Sequence, residues 1–286
     1  MSETVAAVSA NGLEFRYLSD GDGPPASGER RPLALLLHGF PDSAYTWRHL
    51  LPSLAAAGFR AVAPWTRGYA PTAVPADGDY RVSTLAADAN ALHEALGGGP
   101  DAVLIGHDWG AITAYGAAAL EPDRWRRVVT MAVPPPAIAS AAFFDYAQLK
   151  KSFYVYLFQT DLAELVAGAD DLAFIDNLWR DWSPSYDGSA DLTHVKDALR
   201  APDNLRAAIG YYRAMFGGGV LGDSPPHPTL YLHGEDDGAF LAERVLESKA
   251  HLSAESEVRV LPGVGHFLHL ERPDEVNRLV VEWLST

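Results

Sequence analysis

Residues 103–114, VLIGHDWGAITA, decide the fold prediction for this chain. An apolar run ends in Gly106-His107-Asp108-Trp109-Gly110, and small residues at helical spacing follow. A serine at the centre of such a strand–turn–helix would give G-x-S-x-G, the turn that exposes a nucleophilic hydroxyl. Here the central residue is Asp108, so the turn predicts an exposed carboxylate in the nucleophile's place. The alternative is a tight turn in which Asp108 only caps the following helix.

Short apolar runs bounded by turn residues recur on both sides of this turn. They cover 33–39, 59–65, 101–107, 126–133, 229–234 and 256–263. Near-continuous apolar strands are typical of a parallel sheet that is covered on both faces. Helical patterns alternate with them at 43–57, 83–96, 109–120, 240–251 and 273–284. The sequence therefore predicts an α/β fold with a mostly parallel central sheet, helices on both faces and an antiparallel pair, 4–10 and 13–19, at the start.

The alternation of strands and helices breaks in the middle of the chain. VPPPAIASAAFF opens this stretch, GDSPPHP closes it, and the residues between are rich in aromatic helical segments. We therefore predict a core formed by residues 1–134 and 226–286. Residues 135–225 are predicted to form a helical cap over the carboxyl edge of the sheet.

Composition excludes several classes of function. The 286 residues carry 22 Lys and Arg against 37 Asp and Glu, a net charge of −15, which disfavours nucleic acid and anionic membranes as partners. The absence of cysteine excludes disulfides, thiolate metal sites and a cysteine nucleophile. The start of the chain has no signal-peptide pattern and no apolar run could span a bilayer, so we expect a cytoplasmic protein. The histidines lack metal-ligand spacing, so no catalytic metal is expected.

Polar residues follow several of the predicted strands at the point where each strand ends. Ligands of open α/β sheets bind outside the carboxyl ends of the strands, so these residues are predicted to converge there. In chain order they are His38-Gly39-Phe40-Pro41, Asp108, the acidic run Glu235-Asp236-Asp237, and His266. The order carboxylate nucleophile, acid, histidine is that of a hydrolytic triad with Asp108 in place of serine.

These motifs resemble the α/β-hydrolase family and, within it, the epoxide hydrolases. The matching segments are distributed along the predicted core from His38 to Leu284. They are HGFPDSAYTWRHLLPSLAAAGFRAVAP, RGYAPT, GHDWGA, GEDD and GVGHFLHLERPDEVNRLVVEWL. GHDWG indicates a carboxylate-nucleophile subgroup, which also includes haloalkane dehalogenases.

The chemistry of a carboxylate nucleophile suits this turn. With a reference pKa of about 3.9, Asp108 is ionised at neutral pH and attacks carbon without a base, leaving an ester on the protein. His266 would then activate the water that hydrolyses the ester. The resemblance assigns the acid partner to Asp237, with Asp236 as the fallback. It also assigns the oxyanion-binding N–H groups to Phe40 and Trp109.

The leaving group separates an epoxide from a halide. An epoxide oxygen leaves as a basic alkoxide, so a proton donor such as a tyrosine hydroxyl is expected across the cleft. The segments KKSFYVYLFQTDLAE and AIGYYRAMFGG resemble the tyrosine-bearing cap segments of epoxide hydrolases. The resemblance implies Tyr154 and Tyr212 as the donors, with Tyr156 and Tyr211 as close competitors.

The resemblance therefore favours hydrolysis of a small apolar epoxide to a diol, without any cofactor, by a monomer or homodimer. A haloalkane or haloacid dehalogenase is the first alternative. Phe40 stands where haloalkane dehalogenases usually have Asn. Trp109 stands where fluoroacetate dehalogenases usually have Arg. Both differences disfavour the dehalogenase alternative. A small-molecule receptor on the same fold is the second alternative. The predicted substrate-binding residues are His38, Pro41, Trp65, Phe153 and Trp179.

Overall fold

The computed structural model describes residues 5–23, 30–216 and 224–286. Their strands form one 8-stranded sheet in the order β1-β2-β4-β3-β5-β6-β7-β8. The strands are β1 (Ala6–Ala10), β2 (Leu13–Asp20), β3 (Leu33–Leu37), β4 (Arg60–Pro64), β5 (Val103–His107), β6 (Arg127–Met131), β7 (Thr229–Gly234) and β8 (Glu257–Leu261). β2 pairs antiparallel with β1 and β4, and the other pairings are parallel. The predicted α/β fold with a mostly parallel sheet is confirmed.

Burial along the strands explains their sequences. Every residue of β3, β5 and β7 is buried, as expected of strands covered on both faces. In contrast, β8 alternates exposed and half-buried residues before ending in buried Leu261, because it lies at the sheet edge. The near-continuous apolar runs therefore mark the interior of the sheet, where the carboxyl ends of β3, β5 and β7 lie.

Helices cover the sheet. They are α1 (Leu50–Ala56), α2 (Val82–Ala95), α3 (Trp109–Leu120), α11 (Leu268–Glu271) and α12 (Pro273–Ser285). The predicted helix over 43–57 is wrong in its extent, because a 3-10 turn, Ala44–Trp47, precedes α1. Pro52 has no N–H to bond the preceding turn, which opposes a continuous helix there. Ala242–His251 is a 3-10 rather than an α-helix, and its buried residues Val245 and Ser248 are three apart, as three residues per turn requires.

Seven further helices lie between β6 and β7 in the part of this segment that the structure describes. They are α4 (Pro136–Ala142), α5 (Tyr146–Lys151), α6 (Phe153–Leu157), α7 (Ala163–Gly168), α8 (Ala173–Trp182), α9 (Ser189–Leu199) and α10 (Pro202–Met215). No strand interrupts them among residues 132–216. Residues 217–223 of the predicted cap lie outside the described residues.

These helices are tied to loops that follow strands of the sheet. The Trp179 indole of α8 donates to the Pro41 carbonyl after β3 (2.8 Å), and Asn204 of α10 donates to the Gly68 carbonyl after β4 (2.7 Å). Gln148 of α5 donates to the Ala239 carbonyl after β7 (2.8 Å). The helices therefore lie over the carboxyl edge of the sheet. Within the described part of the chain, no helix has the length and apolar character needed to cross a membrane.

Candidate active site

The turn between β5 and α3 holds Asp108 in a strained conformation. Its φ is 53° and its ψ is −119°, outside the regions that L-residues favour. Two glycines allow this arrangement. A Cβ on Gly110 would lie 1.9 Å from the Leu37 carbonyl oxygen, and a Cβ on Gly39 would lie 2.4 Å from Asp108 Oδ1. The G-x-D-x-G turn is therefore compressed against the end of β3, which projects the Asp108 carboxylate beyond the sheet.

Gly110→Ala is expected to lower the free energy of unfolding by about 3 kcal/mol, because its methyl group would overlap backbone that has no room to move. Gly116→Ala in the same helix is the matched control. Its Cβ would lie 3.4 Å from Ala86 and Val82, an ordinary contact, and alanine favours the helix by up to about 1 kcal/mol. Urea denaturation of both variants measures the difference, and equal stabilities would contradict the close approach at Gly110.

His266 lies between two buried carboxylates. Its Nδ1 is 2.9 Å from Asp237 Oδ2, and its Nε2 is 3.7 Å from Asp108 Oδ2. The other oxygen of Asp237 accepts the N–H groups of Ala239 (2.7 Å) and Phe240 (3.0 Å). Asp237 is thereby fixed, and its bond to Nδ1 leaves Nε2 facing Asp108.

Asp236, the alternative candidate for the acid partner, does not contact His266. It is exposed, while Asp237 is buried against His266. The backbone N–H of Asp236 donates to the Val264 carbonyl, which belongs to the turn rather than to the site. The structure therefore brings Asp108, Asp237 and His266 together and leaves Asp236 outside.

The pKa shifts follow from burial and from the two opposite charges. Burial raises the pKa of Asp108, against the opposing effects of His266 and of the Phe40 and Trp109 backbone N–H groups. Burial opposes a charged His266, but the Asp237 and Asp108 carboxylates outweigh it and raise its pKa. Burial acts to raise the pKa of Asp237 too, but His266 outweighs it, so this pKa is lowered. Asp237 therefore stays ionised and able to stabilise an imidazolium at His266.

Two backbone N–H groups face the Asp108 carboxylate. The Phe40 N–H donates to Asp108 Oδ1 at 2.8 Å. The Trp109 N–H, in the first turn of α3, also favours the ionised carboxyl. The resemblance assigns these same two N–H groups to oxyanion binding. Both interact with the Asp108 carboxylate.

A pocket opens above Asp108 and His266. Its other walls are mostly apolar and come from α3, the loop after β6, α4, α6, α10 and the loop after β7. The polar side chains on its walls are Asp108, His266, Ser152, Tyr154 and Tyr212. An apolar chamber with a few convergent polar groups is typical of a small-molecule site.

Tyr154 and Tyr212 lie next to each other in the wall of this pocket. Both are buried, and their ring centroids lie 5.6 Å apart at an interplanar angle of 84°. Burial raises the pKa of both phenols well above the ordinary value, so both stay protonated at neutral pH. The Tyr212 hydroxyl has no hydrogen-bond partner among the described residues.

The competing tyrosines occupy other positions. The Tyr211 hydroxyl donates to the Arg67 carbonyl at 2.7 Å, away from this pocket. Tyr156 is 40% exposed and packs against Phe216. Of the four candidates, the structure therefore brings only Tyr154 and Tyr212 to the pocket that holds Asp108.

The comparison with known proteins can now be added to this geometry. Residues 32–273 match the family described as alpha/beta hydrolase fold. The chain belongs to the α/β hydrolase family. This α/β hydrolase is 40% identical over 315 residues to an epoxide hydrolase of Caballeronia sordidicola, covering 98% of this chain and 93% of the relative.

More distant relatives are also named epoxide hydrolases. Epoxide hydrolase 3 of Xenopus tropicalis is 32% identical over 295 residues, covering 96% of this α/β hydrolase and 76% of the relative. The crystal structure of epoxide hydrolase A from Mycobacterium thermoresistibile superposes with a TM-score of 0.82 at 26% identity, covering 99% of this chain and 98% of that one. The resemblance to epoxide hydrolases is confirmed.

None of the five predicted substrate-binding residues lines the pocket of this α/β hydrolase. His38 accepts the Thr66 N–H at Nε2 (3.0 Å) and faces the Gly39 carbonyl at Nδ1 (2.9 Å), so it braces the loop after β3. Pro41 offers its carbonyl to Trp179, whose ring stacks on Phe267 at 3.7 Å.

The remaining two also lie elsewhere. Trp65 is buried against Tyr45 (5.6 Å), and Phe153 is 47% exposed behind Tyr154 (6.1 Å). Packing around the loops, rather than contact with the pocket, accounts for these positions. The apolar wall residues instead include Ile112 and Met215. Helical spacing could have identified both residues. Ile112 follows Asp108 by four positions and Met215 follows Tyr212 by three, and residues at these spacings lie on the same face of a helix.

Among the residues that the structure describes, one buried group of metal-type ligands lies behind the site. One ligand atom each of Asp42, His107 and His269 falls within 4.8 Å of the others. The expectation that this α/β hydrolase uses no metal or other cofactor stays a prediction.

Proposed function

We propose that this α/β hydrolase converts an epoxide to a vicinal diol through a covalent ester on Asp108. The observation that carries the proposal is the position of His266, with Nδ1 2.9 Å from Asp237 and Nε2 3.7 Å from Asp108. A base at this distance suits activation of a water beside an ester on Asp108. The relatives named epoxide hydrolases support the substrate class.

In the first half-reaction, a carboxylate oxygen of Asp108 attacks an epoxide carbon and displaces the ring oxygen. The carbon–oxygen bond of the ring breaks as the ester bond forms. Tyr154 and Tyr212 bind the ring oxygen, and one of them donates the proton that the developing alkoxide needs. Their raised pKa values keep both phenols protonated at neutral pH, ready for this role.

In the second half-reaction, His266 accepts a proton from water through Nε2 as the water oxygen attacks the Asp108 carbonyl carbon. The Asp237 carboxylate stabilises the resulting imidazolium. The N–H groups of Phe40 and Trp109 stabilise the oxyanion on Asp108. Collapse of this intermediate breaks the ester bond and restores the Asp108 carboxylate. The His266 imidazolium gives its proton to the departing alkoxide, which leaves as the diol, and the second proton of the water restores the tyrosine that protonated the ring oxygen.

The proposal extends to the organisation of the chain. Residues 135–225 act as a cap, and α6 and α10 within it carry Tyr154 and Tyr212. The apolar walls of the pocket favour a small apolar epoxide. The cytoplasmic location and the monomeric or dimeric state stay predictions.

A paired assay on the purified protein tests the substrate class. The two substrates are an aryl epoxide, followed as diol, and a bromoalkane, followed as bromide. Diol without bromide is expected. Bromide without diol would reject the proposal for a dehalogenase, and tight epoxide binding with neither product would favour the receptor alternative.

Tyr154→Phe and Tyr212→Phe are each expected to lower kcat for the epoxide by about tenfold, and the double variant by over about 100-fold, because the alkoxide loses its donors. Tyr211→Phe is the matched control, since its hydroxyl bonds the Arg67 carbonyl instead. Steady-state diol formation measures all four variants. Full activity in the double variant would assign proton donation elsewhere.

A further inference from the structure

A second histidine, His233, approaches the Asp237 carboxylate oxygen that faces His266. His233 Nε2 lies 3.8 Å from Asp237 Oδ2, the same oxygen that faces His266 Nδ1. The side chains of His233 and Asp237 are fully buried. His233 Nε2 has no hydrogen-bond partner among the described residues. A buried polar atom of this kind is costly unless a nearby group interacts with it.

The other nitrogen of His233 is already engaged. The Tyr231 hydroxyl lies 2.8 Å from His233 Nδ1, and Tyr231 is itself fully buried. Residues 231 and 233 both belong to β7, and residues two apart on a strand share one face of the sheet. The strand thus aligns the Tyr231 hydroxyl, the His233 imidazole and Asp237.

The charge of this environment fixes the form of the ring. Burial lowers the pKa of His233 more than the neighbouring Asp237 carboxylate raises it, so the ring is neutral at pH 7. A neutral imidazole carries one N–H, on either Nδ1 or Nε2. With the proton on Nδ1, the Nε2 lone pair would face the ionised Asp237, a repulsion between two acceptors away from water. With the proton on Nε2, the Tyr231 hydroxyl donates to Nδ1 and the N–H faces the carboxylate.

We propose that His233 is a positioning residue for the triad, held by Tyr231 as the Nε2–H tautomer and aimed at Asp237 Oδ2. Its N–H would lie 3.8 Å from the oxygen that orients His266, too far for a hydrogen bond but close enough to stabilise a buried carboxylate charge. Asp237 then accepts hydrogen bonds from two backbone N–H groups on Oδ1 and from His266 on Oδ2, with the His233 N–H as a longer electrostatic contact to Oδ2. The effect on catalysis rests on the proposed function, but the tautomer and its contact do not.

Because His233 acts through Asp237, its effect falls on one half-reaction. Asp108 attacks the epoxide without a base, so ester formation does not need an oriented His266. Ester hydrolysis does need it. A loss of about 1.4 kcal/mol in the electrostatic stabilisation of Asp237 corresponds to a tenfold change, so removal of the His233 N–H should slow ester hydrolysis by about tenfold.

Nitrogen NMR of the free protein, labelled at histidine, tests the tautomer without any substrate. His233→Gln assigns the His233 signals by their disappearance. A protonated Nε2 and an unprotonated Nδ1 are expected, and Tyr231→Phe should shift the Nδ1 signal. A protonated Nδ1 in the parent protein would overturn the proposal, whatever the substrate proves to be.

Single-turnover kinetics test the role in the reaction. His233→Leu should slow ester hydrolysis about tenfold while ester formation stays within about twofold of the parent. His233→Gln keeps an N–H near the position of Nε2 and should recover most of the rate, and Tyr231→Phe should fall between them. Thermal unfolding of each variant reports any loss of fold.

The outcomes distinguish the two proposals. If the parent protein forms no ester with the epoxide, the proposed function fails, and the NMR result alone decides the tautomer and the contact. If the parent turns over but His233→Gln is as slow as His233→Leu, or both half-reactions slow equally, His233 only packs against its neighbours. Either of those last results would overturn the positioning role.

Discussion

Asp108→Ala is expected to abolish diol formation, with kcat falling by at least about 10⁴-fold, because no other group can form the ester. The fold should survive the change. Burial raises the pKa of Asp108, so its ionised form is less favourable in the folded protein than in the unfolded chain at pH 7. Removing it should therefore leave the free energy of unfolding unchanged within about 1 kcal/mol, or increase it.

The measurements are diol formation and urea denaturation of the same preparation. A stable but inactive Asp108→Ala protein would support Asp108 as the nucleophile and would show that its buried carboxylate does not stabilise the fold. A stable variant with more than about a hundredth of the parent activity would show that Asp108 is not the nucleophile. An unfolded variant would instead indicate that the contacts of Asp108 with Phe40 and the turn support the fold.

His266→Gln is expected to stop the reaction at the ester. Asp108 needs no base for its attack, so the first half-reaction continues, while hydrolysis loses its base and falls by about 10⁴-fold. Intact-mass spectrometry after incubation with epoxide should show a protein heavier by the mass of the whole epoxide. Opening a ring expels no fragment, whereas displacement of a halide would add only the alkyl part of a haloalkane.

The double variant Asp108→Ala with His266→Gln is the control, and it should show no mass increase. An adduct that persists in the double variant would place the covalent bond on another residue. An unmodified His266→Gln protein from an active parent would reject the two-step scheme. A fully active His266→Gln variant would assign the base elsewhere, despite the 3.7 Å approach of Nε2 to Asp108.

Local signals were sufficient for the architecture of the sheet. The buried strands β3 and β5 are apolar except for His107 at the end of β5, as strands covered on both faces require, and turn residues follow them. Helix extents were less accurate. The predicted helix over 43–57 contains Pro52, and the structure begins α1 only at Leu50 after a separate 3-10 turn. Periodicity indicates which face is buried, but backbone hydrogen bonding decides where a helix begins.

The sequence by itself determined the fold class and the order of the candidate triad, because both depend on short segments that follow individual strands. Asp108 lies in a turn of fixed geometry, and His266 follows β8. Only the tertiary structure decided which tyrosines share the pocket with Asp108. The adjacent residues Tyr211 and Tyr212 differ only in direction, and the packing of α10 sends one hydroxyl to the Arg67 carbonyl and the other to the pocket.

The same distinction holds for the groups around Asp237. The acidic run after β7 left two candidates, and contact with His266, which lies 29 residues further along the chain, selected Asp237. His233 precedes Asp237 by only four residues, but nothing in the sequence predicted that the turn after β7 would bring their side chains within 3.8 Å. The contact between Asp237 and His266 instead joins segments that follow separate strands, so its distance is set by the folded core.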